Sequence, residues 1–137
     1  MKKWLPVAAL FASSLALAQQ HPIDQQLQQC LDRESSTAGM SQCYSTATQA
    51  WDKEMNAQYT GLMKTLTGEP KDKLRQAQRA WLTYRDSWRD ASVSYFSRTQ
   101  GSVAALNIGA GQVSLVRNQA LTLQSLRKGG CTNPDDC

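Results

Sequence analysis

The sequence predicts an all-α fold: a small bundle built on a long antiparallel helical hairpin and tied by disulfides. Three observations predict it. From Met40 onward, apolar and semi-apolar residues recur at steps of three and four through Tyr44, Ala47, Trp51, Met55, Tyr59, Leu62 and Leu66, the spacing that lays one stripe along a helix. A second run of the same period follows at Leu74, Ala77, Trp81, Tyr84, Trp88, Ala91 and Tyr95. Nowhere does the chain alternate with period two for long enough to make a strand.

Taken in order, residues 1–18 read as a secretory signal. Lys2 and Lys3 precede an apolar run over 5–18, and Ala16-Leu17-Ala18 offers the small-x-small pattern of a cleavage site. The run is too short to anchor the chain in a membrane, and no later stretch is apolar enough to span one. No cysteine adjoins the junction for lipid attachment. The expectation is a single domain over 19–137, periplasmic or secreted, without a membrane anchor after signal cleavage. Lys2 and Lys3 leave with the signal, taking the 15 basic residues to 13 against 11 acidic ones and the formal charge from +4 to +2. A nearly neutral chain without a clustered basic face predicts no nucleic-acid partner.

Ile23, Leu27, Cys30 and Leu31 make a first short helix that ends in the polar stretch running from Glu34 to Gly39. The long helix that follows stops at Thr67, Gly68, Glu69 and Pro70, a glycine suited to a helix C-terminus and a proline suited to the first turn of the next. The second long helix carries the stripe from Leu74 to Tyr95, read as a helix–helix seam with Trp51, Trp81 and Trp88 in the core. Gly101, Gly109 and Gly111 then predict a flexible corner. A last helix holds Val113, Val116, Ala120, Leu123 and Leu126 and ends at Gly129 and Gly130, and residues 131–137 read as a turn.

All four cysteines, Cys30, Cys43, Cys131 and Cys137, lie beyond the signal. In an oxidising compartment they allow three disulfide connectivities, of which nearness in sequence favours Cys30 with Cys43 and Cys131 with Cys137. No metal or other cofactor is expected, since the one histidine, His21, adjoins the cleavage point and no C-x-x-C spacing occurs.

If the two long helices fold back about the turn, residues facing each other have numbers summing to about 137, with an error of one helical turn, because both rise about 1.5 Å per residue. Tyr59 then faces Gln78, Asn56 faces Trp81, and Asp52 faces Arg85. The last is a planar guanidinium opposite a carboxylate, fit for two parallel hydrogen bonds. Asn56 and Gln78 are placed to satisfy the remaining polar atoms among the rings.

Enzyme chemistry finds little support. Glycoside hydrolysis needs two carboxylates about 5–9.5 Å apart, yet most of the acids Asp52, Glu54, Glu69, Asp72, Asp86 and Asp90 adjoin a basic residue. A nucleophile lacks a histidine base, and the glycines lack the spacing and lysine of a phosphate loop. No catalytic residue is expected. Arg79 and Arg89 are the candidate partner-binding residues, exposed cations able to meet an acidic surface.

The pattern of Cys30 and Cys43, then Trp51, Asp52, Asn56 and Tyr59, then Gln78, Trp81, Tyr84, Arg85 and Asp86 resembles the LprI-type lysozyme-inhibitor domain, over about residues 27 to 126. The W-D-x-x-x-N-x-x-Y and A-Q-R-A-W-x-x-Y-R-D blocks carry the likeness together. The resemblance implies an all-helical envelope protein that binds a protein partner, with lysozyme inhibition attributed to the founding type, and it supplies no catalytic residues. Members often carry a cysteine shortly after the R-D pair and another after the glycine corner. Here Trp88 and a glycine near Gly111 take those places, and the expectation is that the tryptophan fills against the glycine the volume a disulfide would bridge. The function expected is inhibition of a lysozyme-type muramidase. The alternative is a non-enzymatic envelope accessory or immunity-type protein that binds a different effector.

Overall fold

The computed structural model describes residues 20–130. The signal over 1–18 and the expected pairing of Cys131 with Cys137 lie outside the described residues. Pro22 stands at the start of α1 (Pro22–Leu31), where a missing N–H leaves no hydrogen bond unmade, and His21 caps it, Nδ1 accepting from the Ile23 N–H at 3.2 Å. Ser36 caps α2 (Thr37–Thr65), its hydroxyl accepting from the Gly39 N–H at 3.0 Å, so this helix starts one turn before its apolar pattern does. Gly68 takes a φ of +60° and turns the chain directly into α3 (Gly68–Thr99), with Pro70 in its first turn. A second left-handed glycine, Gly101 at φ +56°, opens a single 3-10 turn that leads into α4 (Ala104–Gly129).

The long antiparallel hairpin of α2 and α3 is present, but the apolar core lies between α2 and α4. Ala47, Trp51, Met55 and Leu62 on α2 interlock with Val113, Val116, Ala120 and Leu123 on α4, and Ile23, Leu27, Tyr44, Tyr59, Leu74, Trp81 and Leu121 close the margins. α1 packs on the N-terminal half of α2, where Cys30 is joined to Cys43 with Cα atoms 5.7 Å apart. Closing that loop contributes about 2–3 kcal/mol by restricting the unfolded chain. α1 is also tied to α4: Arg117 pairs with both carboxylate oxygens of Asp24, at 3.1 and 3.0 Å, beside the buried ring of Trp51.

The predicted glycine corner is corrected by the length of α4. Gly109 and Gly111 lie inside the helix. Gly109 is there for contact: a Cβ at this position would sit 2.8 Å from Cβ of Tyr44, so α4 approaches α2 as closely as a glycine allows. Gly111 faces open space, with nothing within 4 Å of a Cβ built on it. Trp88 therefore fills no volume against it.

α3 packs its backbone against α4 and reaches α2 through long side chains. This too corrects the sequence reading. The expected seam through Ala77, Tyr84, Trp88, Ala91 and Tyr95 faces outward, while the inward line runs through Leu74, Gln78, Arg85, Ser92 and Phe96. The helix is turned so that polar side chains with partners go inside and several rings stay in solvent.

Candidate protein-binding surface

The motif residues divide into a buried half and a surface half. Trp51 is fully buried, with the His21 ring 4.3 Å away and the Arg117 guanidinium 5.5 Å from its centroid. Gln78, also buried, joins three helices: its amide nitrogen donates to Sδ of Met55 at 3.6 Å and its oxygen accepts from Gln119 at 2.8 Å. Met55 lies one turn from Tyr59, the residue predicted to face Gln78, which is within the register error. Trp81 is half-buried against the core, and Arg85 lies over its ring at 5.6 Å.

Arg85 also meets Asp52 at 3.5 Å, as the register places it. The same guanidinium holds Asp86 at 2.9 Å, so one cation on α3 serves an acid from each long helix. Asn56 donates to the Asp52 carboxylate at 3.1 Å and to its carbonyl at 2.9 Å, which orients that acid from its own helix. With side chains 26% and 42% exposed, the Arg85–Asp52 pair is worth about 0.2–1 kcal/mol, less than a buried pair would be. Beside it a shallow notch of about 300 Å³ is lined by Thr48, Gln49, Asp52, Arg85, Arg89, Gln112 and Val116. Asp52 in its wall forms an ion pair with Arg85, and the same arginine donates to Asp86. Among the described residues no group of three His, Cys, Asp or Glu side chains is placed to hold a metal ion.

The surface half runs along the outer flank of α3. Tyr84, Trp88 and Tyr95 are 53%, 50% and 63% exposed, spaced four and seven apart on one face, and the Tyr84 and Trp88 rings stack at 6.4 Å. Single exposed apolar residues are ordinary, but these rings stand in file on one helix face. Arg89 is exposed beside Trp88, with Asp90 at 3.5 Å. Arg79 is exposed as well, but nine residues before Trp88 it points from the opposite side of α3. Arg89 stands about 80° around the helix from Arg79 and about 100° from Trp88, and it lines the notch beside Arg85. The Asp24–Arg117 pair and the Gln119 partner of Gln78 escaped sequence reasoning. Ninety-three residues separate the first pair, and no local spacing signals it.

The family described as Lysozyme inhibitor LprI matches residues 28–123. The chain belongs to the LprI family. LprI is an inhibitor family and not a family of enzymes, in keeping with a motif whose charged members pair with one another. A crystal structure of an uncharacterized protein from Burkholderia thailandensis is similar to this LprI chain, with 34% sequence identity and a TM-score of 0.72 over 79% of the chain. The match covers 54% of that protein, so the LprI chain spans about half its length. No curated protein matches the sequence. No helix among the described residues is long and apolar enough to cross a membrane.

Proposed function

We propose that this protein acts outside the cytoplasm, after removal of residues 1–18, as an inhibitor that binds a lysozyme-type muramidase through the outer flank of α3. Membership of the LprI family supports the activity, and the file of exposed rings at Tyr84, Trp88 and Tyr95 is the observation that supports the surface. A muramidase cleft is shaped for sugar rings and holds a pair of carboxylates. Flat aromatic faces suit the first, and the Arg89 guanidinium suits the second by charge-assisted hydrogen bonds. At a formal +2 the mature chain offers a strongly basic lysozyme no long-range attraction. Affinity then comes from short-range contact, and the association rate changes little with ionic strength. The test is the lytic rate of several lysozymes titrated with the oxidised protein. Inhibition saturating near one equivalent is expected. Undiminished lysis by every lysozyme at a large excess of the protein contradicts the proposal.

A further inference from the structure

Apart from that flank, the end of the bundle where α2 turns into α3 and α4 finishes encloses a second feature. An apolar cavity of about 830 Å³ opens there between Leu62, Leu66, Pro70, Leu74, Ala77 and Leu126, within the range of small-ligand sites, about 300–1,000 Å³. Lys73 and Arg127 are the charged side chains that line it, and no described carboxylate does. Lys73 is exposed at the rim and makes no ion pair among the described residues. Lys64, Lys71 and Lys128 adjoin the lining residues in sequence, against Glu69 and Asp72, and Asp72 is already held by Arg75 at 2.7 Å. Two cations and no described carboxylate thus line one apolar opening.

We infer that this cavity binds a single-chain anionic amphiphile of the fatty-acid class. Its alkyl chain lies between Leu62, Leu66, Leu74, Ala77 and Leu126, where burial of each methylene is favourable and nothing polar is left unpaired. Its carboxylate meets Lys73 at the rim, where the charge stays partly hydrated. The rival occupant from this chain is the segment 131–137, which follows Gly130 at the cavity wall. That segment carries Thr132, Asn133, Asp135 and Asp136, with Pro134 and two cysteines as its apolar side chains, a composition matched to the cationic rim and poorly matched to the walls.

The test uses the full chain and free octanoate, decanoate and dodecanoate below their micellar concentrations, with dodecanol as the uncharged control, read by displacement of a fluorescent fatty-acid analogue. Affinity is expected to rise about fourfold per added methylene, the equivalent of about 0.8 kcal/mol. Lys73→Glu should weaken dodecanoate at least tenfold and leave dodecanol unchanged. Ala77→Trp, at an exposed position, should abolish binding of both without shifting the melting temperature. Four results each overturn the inference: no binding of any of the ligands, binding indifferent to Ala77→Trp, binding to anionic vesicles but not to free dodecanoate, or NMR contacts from residues 131–137 to Leu66 and Ala77 that dodecanoate does not displace.

Discussion

Arg85 does three things at once: it reaches Asp52 on α2, holds Asp86 on its own helix and covers the ring of Trp81. Asp52 has a second partner in Asn56 and loses less when Arg85 is absent. Arg85→Ala should therefore cost more stability than Asp52→Ala, about 1 kcal/mol or somewhat more against about 0.5 kcal/mol, with the double mutant losing less than the sum. Denaturant unfolding of the three variants checks this, and equal, additive losses would mean that the pair carries no coupling. The contact was legible in the sequence because a short turn joins two helices of equal rise, so counting from Gly68 in both directions finds opposing residues. Gln119 was not legible as the partner of Gln78, since a longer connection separates α3 from α4 and no such count spans it. The same holds for Asp24 and Arg117, which meet only because α1 and α4 flank Trp51.

At the scale of the element, two glycines two residues apart on α4 have opposite jobs. Gly109→Ala drives a Cβ against the stem of Tyr44, which has no room to retreat, and should destabilise by about 1–3 kcal/mol in spite of alanine's better helix propensity. Gly111→Ala meets nothing and should stabilise by up to about 1 kcal/mol through propensity alone. Thermal melts of the two variants should move in opposite directions, and a shared direction would contradict the close approach of α2 and α4. Sequence reading took both glycines for breakers, because a glycine kept for packing and a glycine kept for a turn look alike until the neighbouring helix is known. It located the turn at Gly68 and Pro70 correctly, where a left-handed glycine and a proline act together.

Across the whole molecule, periodicity defined the stripe on α3 but not what covers it. A helix face of Trp81, Tyr84, Trp88 and Tyr95 reads as core by its spacing, and the fold uses Trp81 in that way. The bundle closes through α2 and α4 instead, and α3 turns Gln78 and Arg85 inward because each finds a partner there, which leaves the remaining rings outside. Those rings stabilise the isolated domain little, so their removal separates a binding role from a folding one. The decisive measurement is the lytic rate of a lysozyme titrated with the native protein, with Trp88→Ser and with Arg79→Ala, each variant shown by its melt to be folded. The account predicts that Trp88→Ser loses at least tenfold in inhibitory potency while Arg79→Ala, on the opposite side of α3, inhibits like the native protein. Full potency in Trp88→Ser would contradict it and remove the outer flank of α3 from the interface.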